Sequence, residues 1–157
     1  MASTIPLHKL NHFIVQAKAA TYVGDGQTSA PSRKNAHDLA FHAGDFSYLD
    51  SYFGGTDFIG QEVVYEHDEP IWAMNYYGRI LKPDKITAVQ AGQVIKRSLS
   101  HLYEEGRFLG GFTHTAGEFS YIDTNQGDPH SFTGKEWITR DGVIVYELVY
   151  HGGMIKP

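Results

Sequence analysis

Two pairs of carboxylates recur at matching places in the chain. Asp50 and Asp123 end two similar segments, and Glu62 and Glu136 follow a short distance after them. Paired carboxylates can serve as general acid and base, or can bind a divalent cation. The same repetition is expected if each pair does one structural task twice, and carboxylates are mostly exposed unless they are paired. The favoured interpretation is structural, with all four side chains capping turns or lying on a sheet rim.

Nine histidines raise the question of a metal site. They are His8, His12, His37, His42, His67, His101, His114, His130 and His151. None forms His-Glu-x-x-His or another recognised ligand spacing. His8 and His12 are four residues apart and can share one side of a helix, but Zn²⁺ needs three or four ligands. The sequence predicts solvated histidines, no bound metal and no cofactor.

The sequence lacks the usual motifs for nucleophilic and phosphate chemistry. It has no Cys, which excludes a thiolate nucleophile, a thiolate metal site and disulfides. Ser47, Ser98 and Ser131 lack the Gly-x-Ser-x-Gly context of hydrolases. The Gly-Gly pairs at 54–55 and 110–111 do not continue into the Gly-x-x-x-x-Gly-Lys-[Ser/Thr] phosphate loop.

Two apolar segments point to a ligand cleft. Residues 71–77 and 143–150 are each predicted to form a strand, and both strands would be largely apolar on both faces. Such strands are usually covered on both sides. Helices can cover one side, and the other would be the concave surface of a curved sheet. A ligand cavity is predicted on that concave side.

Polar residues that interrupt these two segments are the candidate ligand contacts. With the segments aligned at an offset of 73, Asn75 corresponds to Leu148, and Glu147 corresponds to Met74. A buried polar group without partners costs ~1–3 kcal/mol, whereas apolar walls with a few polar anchors are typical of ligand sites. The predicted ligand-binding residues are Trp72, Asn75, Tyr77, Arg79, Glu147 and Tyr150. The open alternative places the polar members in solvent and the tyrosines in the core.

The elements that would position these residues come from a sequence that repeats itself. Residues 43–50 return as residues 116–123 with six of eight positions identical, 73 residues later. Further matches in the same order are residues 58–62 with 132–136 at an offset of 74, and Ile71 with Ile144 and Tyr77 with Tyr150 at 73. Matches in one order at a nearly constant offset predict a duplicated unit.

One helix is predicted before each copy. Apolar residues at helical spacing predict helices over residues 6–20 and 83–105. Short apolar runs bounded by turn residues predict strands, and these are residues 39–41, 46–52, 63–66, 71–77, 137–140 and 143–150. Asp141-Gly142 is typical of a hairpin turn. The polar stretch 24–35 predicts a mobile loop.

These elements predict an α+β fold in a single domain over residues 1–157. The domain would consist of two pseudo-symmetric repeats, each with one helix and about four antiparallel strands. Repeat one covers about residues 5–81 and repeat two about residues 83–155, with the division near residues 82–85.

Composition limits the class of partner. Thirteen Lys and Arg against 18 Asp and Glu give a net charge of −5, which argues against nucleic-acid binding. The sequence contains no run of 18 apolar residues, so it predicts no membrane span. The start of the chain lacks the basic region of a signal peptide. The predicted location is the cytoplasm.

Three blocks of the sequence carry a family resemblance. Residues 48–55, 58–64 and 70–79 resemble an uncharacterised bacterial domain-of-unknown-function family, and residues 72–79 are the most specific block. Members of that family are found alone or behind a helix-turn-helix of the phage-repressor type. The resemblance implies a sensor or effector-binding role and provides no catalytic residue. The first predicted helix starts near Pro6, so this chain departs from the fused pattern.

The function predicted from the sequence is a soluble small-molecule-binding module without established catalysis. One alternative is an enzyme that uses a cleft carboxylate as general acid or base. Another is a protein-interaction domain that uses exposed aromatic side chains. The predicted partner is a small molecule of unknown identity, and the sequence is compatible with a homodimer.

Overall fold

Two helices lie near the start and the middle of the chain. In the computed structural model of the protein, which describes residues 5–23 and 27–157, helix α1 spans Leu7–Lys18. It continues into a π-helical turn over Ala19–Val23. Helix α2 spans Ala88–Glu104.

Helix α1 forms where the sequence predicts it. Pro6 is extended and immediately precedes the helix. Four buried apolar side chains recur at intervals of three and four residues: Leu10, Phe13, Ile14 and Ala17. This spacing puts them on one face, which packs on the sheet. The Phe13 ring centroid lies 5.3 Å from that of Phe46.

A capping box at Thr87 determines where α2 begins. Thr87 Oγ1 accepts a hydrogen bond from the Gln90 amide at 3.1 Å, and Gln90 Oε1 accepts one from the Thr87 amide at 2.9 Å. These reciprocal bonds satisfy two amides at the helix start. The predicted start at residue 83 is wrong, because Lys85 and Ile86 donate to the Lys82 carbonyl and form turns instead.

Within the described residues, nine strands make up the rest of the fold. They are β1 Gln27–Ser29, β2 His37–Ala43, β3 Phe46–Gly54, β4 Phe58–Glu66, β5 Glu69–Ile80, β6 Phe112–Ala116, β7 Phe119–Asp128, β8 Ser131–Arg140 and β9 Val143–Met154. Each strand predicted from the sequence lies within one of them. Strand β1 falls in the segment predicted as a loop, of which residues 24–26 lie outside the described residues.

All nine strands belong to one antiparallel sheet. Their order is β1-β2-β3-β4-β5-β9-β8-β7-β6. Strands β2 to β5 form one up-and-down series and β6 to β9 form another, and the last strands of the two series pair with each other. The predicted α+β class is therefore confirmed as a nine-stranded sheet with two helices. The assignment of the two series to pseudo-symmetric repeats stays a prediction.

The two helices pack on one face of the sheet. Along β5, Trp72, Met74 and Tyr76 are buried, whereas Asn75 and Tyr77 are exposed. Strand residues alternate between faces, so the first three point to the helix-facing side and the last two to what we call the outer face. The prediction that this strand is covered on both sides is wrong, because the Tyr77 residue is 47% exposed.

The helix-facing side holds a continuous apolar core. Side chains from both helices and from β3, β4, β5, β7, β8 and β9 contribute to it. In the part of the chain that the structure describes, neither helix is long and apolar enough to cross a membrane.

Candidate functional site

A polar cluster lies inside the apolar core on the helix-facing side. It contains one lysine and four carboxylates, and all five are buried: Lys18, Asp50, Glu62, Asp123 and Glu136. Buried charges need partners, since their transfer from water is costly. The interpretation that these carboxylates cap turns or lie on a sheet rim is wrong.

Lys18 and Glu62 form a buried ion pair. Lys18 ends α1, and its Nζ lies 2.9 Å from Glu62 Oε1 and 3.0 Å from Glu62 Oε2. The Tyr48 hydroxyl donates to the same carboxylate. This pairing satisfies both oxygens of a side chain that has no exposed surface.

Asp50 is held by a tyrosine from β5. The Tyr76 hydroxyl donates to Asp50 Oδ1 at 2.6 Å. Burial, together with the nearby charge of Glu62, raises the pKa of Asp50 to about 7. Burial also raises the pKa of Tyr76 far above its ordinary value, so Tyr76 remains a proton donor at neutral pH. Asp50 therefore titrates near neutrality beside a fixed hydroxyl.

Asp123 has the same type of partner. The Tyr150 hydroxyl donates to Asp123 Oδ1 at 2.7 Å, and it accepts a hydrogen bond from Asn125 Nδ2 at 3.0 Å. Burial raises the pKa of Asp123. The two Asp–Tyr pairs thus have matching geometry in the two series of strands.

Glu136 takes hydrogen bonds from two tyrosines. Tyr146 donates to its Oε1 at 3.1 Å, and Tyr121 donates to its Oε2. Burial raises the pKa of Glu136 to about 7, against the lowering effect of the Tyr121 hydrogen bond, and the charge of Asp123 adds to the rise. Glu136 is therefore protonated in a large fraction of molecules at neutral pH.

A cavity of about 440 Å³ opens between α2 and the helix-facing side of the sheet. Asp50 and Tyr76 lie in its wall. Apolar and aromatic side chains form most of the remainder: Tyr22, Leu39, Tyr52, Phe58, Ile80, Ile95 and Tyr146. From α2, the small residues Ala88, Ala91 and Gly92 face the space.

The matching region around Asp123 is filled. The space that it borders is about 40 Å³ and is also lined by Leu99, Tyr103 and Phe108. That volume is too small for a metabolite, since ligand sites are typically roughly 300–1,000 Å³. Of the two Asp–Tyr pairs, the one at Asp50 borders the larger space.

Trp72 and Tyr150, two of the predicted ligand residues, lie on the helix-facing side. The Trp72 ring stacks on Phe132 with centroids 5.8 Å apart, and its Nε1 donates to the Pro129 carbonyl at 3.0 Å. Both Trp72 and Tyr150 are buried. They act as core side chains, and neither borders the 440 Å³ cavity described above.

The other four predicted residues lie on the outer face. Asn75 accepts a hydrogen bond from Gln61 at 2.9 Å. Arg79 and Lys135 pair with Glu147 at 3.0 and 3.1 Å, and their hydrogen bonds lower the pKa of Glu147.

The sheet therefore separates Trp72 and Tyr150 from Asn75, Tyr77, Arg79 and Glu147. The six residues do not share one surface. Their role in binding a ligand stays a prediction, and the predicted juxtaposition of all six is not what the structure shows.

A one-residue slip in the alignment explains this separation. The contacts match Tyr150 with Tyr76, because each donates to the Asp of its own series, whereas the sequence matches pair Tyr150 with Tyr77. The hairpin from Gly127 to its partner Phe132 is one residue longer than the equivalent hairpin from Gly54 to Phe58, so the offset is 73 before the connection and 74 after it. A slip of one residue moves every side chain to the other face.

Lys18 and four of the tyrosines that bind the carboxylates were not identified from the sequence as site residues. They are Lys18, Tyr48, Tyr76, Tyr121 and Tyr146. Two signals mark the site: a Tyr two residues before each Asp, and a Gly two residues before each Glu. A Cβ on Gly60 or Gly134 would collide with the ring of Tyr76 or Tyr150. The glycines therefore make room for the tyrosines that bind the aspartates.

Histidines and carboxylates do not form a metal-binding group in the described ranges, 5–23 and 27–157. No three of these side chains are placed to hold one ion there. His114 contacts Ser98, with 3.1 Å between Nδ1 and Oγ. The absence of a metal stays a prediction.

Comparisons with known proteins identify a family and no individual relative. No curated protein and no solved structure matches the chain. A family model matches residues 50–155, a range that holds the four carboxylates of the polar cluster but neither Lys18 nor Tyr48. Because this range exceeds half of the chain, the protein belongs to the family described as Domain of unknown function (DUF5680).

Proposed function

We propose that this protein binds a small molecule in the cavity between α2 and the sheet. The observation that carries the proposal is Asp50, a carboxylate that is 2% exposed and lies in the wall of a space of about 440 Å³. A cavity of this size with apolar walls and a few fixed polar groups is the usual form of a ligand site.

A second depression, on the outer face, is a weaker candidate. It measures about 670 Å³ and is lined by Asn75, Tyr77, Ile59 and Val149, among others. The residues Ile59 and Val149 are 54% and 53% exposed. A ligand there would keep much of its surface in water, so it would gain less from apolar burial. The cavity beside Asp50 is favoured for this reason.

Small residues of α2 keep the cavity open. A Cβ built on Gly92 has no heavy atom within 4 Å outside its immediate chain surroundings. Helix interiors disfavour Gly by ~1 kcal/mol relative to Ala, so Gly92 has a cost that a purely structural helix would avoid. Access to the cavity offers a reason for glycine at this position.

A blind metabolite screen with three proteins tests the proposal. The wild type, a Gly92→Leu variant and a Gln93→Leu control are screened by thermal shift. The new side chain of Gly92→Leu would fill the cavity, whereas residue 93 is exposed on the same helix. We expect compounds that stabilise the wild type and the control but not Gly92→Leu. At a free concentration of 100 times its dissociation constant, a ligand raises the free energy of unfolding by ~2.7 kcal/mol. If the same compounds stabilise all three proteins, the cavity is not the site.

An enzyme is the second candidate function, and the ionisation of Asp50 favours it. A carboxyl group with a pKa of about 7, hydrogen-bonded to Tyr76, can accept or donate a proton near neutral pH. Compounds from the screen would be incubated with wild type and Asp50→Asn, and followed by mass spectrometry. Conversion by the wild type alone supports catalysis. Binding without conversion leaves the protein as a binding module.

Protein interaction is the third candidate, and the outer face favours it. Ile59 pairs with Tyr77, and Tyr77 pairs with Val149, so three exposed apolar side chains form a row across β4, β5 and β9. Exposed apolar groups of this kind often mark contact surfaces. The predicted homodimer would use this row. Sedimentation of the wild type against Tyr77→Ser tests it, and a wild-type monomer at high concentration argues against it.

We further infer that the two series of strands are an internal duplication. The inference is supported by the paired contacts of Asp50 with Tyr76 and of Asp123 with Tyr150. We also propose that the protein acts as a sensor in the cytoplasm. This role is suggested by the resemblance to domains fused to a helix-turn-helix. In that view one site was kept open for a ligand and the other was filled.

A further inference from the structure

We propose that the cavity beside Asp50 binds a hydrophobic amine, with its protonated nitrogen against the Asp50 carboxylate and its apolar body along the aromatic wall. This inference rests on the proposed function and names the class of ligand. It follows from the charges, the rings and the shape around Asp50.

The charges around the cavity favour a cation. Among the residues that line it, Asp50 is the buried ionisable carboxylate, and Lys96 is the basic side chain. Lys96 is exposed on α2, so solvent screens its charge. Lys18 is nearby, but both oxygens of Glu62 already bind its ammonium group.

The wall also fits the body of such a ligand. Tyr22, Tyr52, Phe58 and Tyr146 contribute rings to the lining. Aromatic faces attract ammonium groups, most strongly where water is excluded. An anionic ligand would meet Asp50 and, behind it, Glu62, and like charges within a few ångströms repel.

Binding of an amine should release a proton from Asp50. The titratable and charged groups around Asp50 come from several elements: Lys18, Tyr22, Asp38, Tyr48, Tyr52, Glu62, Tyr76 and Tyr146. With a pKa of about 7, Asp50 is mostly protonated at pH 6 and mostly ionised at pH 8. An ammonium group favours the ionised form, so the affinity should rise between these pH values.

The experiment compares matched probes by isothermal titration calorimetry. The first set is 2-phenylethylamine, 2-phenylethanol and 3-phenylpropanoate, and the second is hexylamine, hexanol and hexanoate. We expect at least one amine to bind about tenfold or more tightly than its alcohol and its acid at pH 8, because a charge-assisted contact exceeds a neutral one. Gly92→Leu should abolish that binding, and Gln93→Leu should keep it.

Asp50→Asn supplies the decisive variant. It should remove the preference for the amine over the alcohol and the rise in affinity from pH 6 to pH 8. Titrations at pH 6 in two buffers of different ionisation heat should show release of close to one proton in the wild type and none in the variant.

The outcomes separate this inference from the proposed function. If the alcohol or the acid binds as tightly as the amine, or if neither amine binds, the inference is overturned. The proposed function still stands if the blind screen finds a compound that Gly92→Leu excludes. It falls independently if every stabilising compound acts equally on all three proteins of that screen.

Discussion

At the scale of single residues, the unusual feature is how much charge lies in the core. One lysine faces four carboxylates there, and only Glu62 lies in an ion pair with Lys18 among the described residues. The other three carboxylates accept hydrogen bonds from tyrosines. Burial lowers the stability of a carboxylate relative to its protonated form. The cluster thus combines one ionised pair with acids that keep their protons to higher pH.

The stability of the fold should fall strongly when one partner of the Lys18–Glu62 pair is removed, and much less when both are removed. Lys18→Met leaves Glu62 as a buried charge without its ammonium, which should lower the free energy of unfolding by ~3–5 kcal/mol. Lys18→Met combined with Glu62→Gln should recover most of that loss, because no uncompensated charge remains. Urea unfolding measures both. A single variant within ~1 kcal/mol of the wild type would show that the pair is solvated.

Glu136 should make stability fall as the pH rises. Its pKa is about 7 in the folded state against an ordinary value of 4.5, so the folded state binds more protons between these values. Its stabilising contribution is full below pH 4.5 and is lost as the pH rises through about 7. From pH 5 to pH 8, Glu136→Gln should gain roughly 2–3 kcal/mol relative to the wild type.

Urea unfolding at pH 5, 6.5 and 8 checks the Glu136 prediction. Glu69→Gln, at an exposed position, is the control and should follow the wild type. His114, whose lowered pKa acts in the opposite direction, is present in all three proteins and cancels in the comparison. If the free energy of unfolding changes with pH in the same way for Glu136→Gln and the wild type, the prediction is contradicted.

At the scale of elements, glycines have opposite roles on the helix and on the sheet. Gly92 lies in α2 beside open space, while Gly60 in β4 lies under the ring of Tyr76. The first position tolerates a methyl group, and the second does not. This difference gives a matched pair of substitutions.

Gly92→Ala should raise the free energy of unfolding by ~0.5–1 kcal/mol, because Ala loses less backbone freedom on folding. Gly60→Ala should lower it by ~1–3 kcal/mol, because the new methyl group must displace Tyr76. Denaturant midpoints measure both. Equal effects at the two positions would show that Tyr76 is not held over Gly60.

Helices and most strands could be predicted from the sequence, because their signals are local. Apolar spacing located α1, and apolar runs bounded by turn residues located β5 and β9. The predicted start of α2 at residue 83 is too early, because the capping box at Thr87 determines the observed start. Strands β6 and β7 were not assigned individually, although the repeated segment ending at Asp123 spans the turn between them and the start of β7.

The candidate site was harder to predict, because it depends on which face each residue occupies. One extra residue in the hairpin between Gly127 and Phe132 shifts the alignment, so Tyr150 is matched with Tyr77 in place of Tyr76. Lys18 gave no signal, since its partner Glu62 lies 44 residues away. Burial of Asp50 and Glu62 also runs against the general exposure of carboxylates. Only the fold shows that tyrosines satisfy them.

At the scale of the whole molecule, the two series of strands share one sheet and one core. Strands β5 and β9 pair along nine positions, from Trp72 with Met154 to Ile80 with Tyr146. Trp72 in the first series stacks on Phe132 in the second. An opening of one series would expose the apolar surface of the other. Any duplication therefore does not imply two units that unfold separately.

Unfolding should therefore be a single cooperative transition. Trp72 reports the contact between the two series, and a Trp137→Phe variant leaves it as the sole tryptophan of the chain. In urea, the fluorescence of Trp72 and the far-ultraviolet circular dichroism should change with the same midpoint and the same slope, as expected for a two-state domain of roughly this size. The packing of Trp72 against Phe108 and Phe132 makes its environment change only when this contact is lost. If the fluorescence changes at a lower urea concentration than the circular dichroism, the two series separate first, and each retains structure of its own.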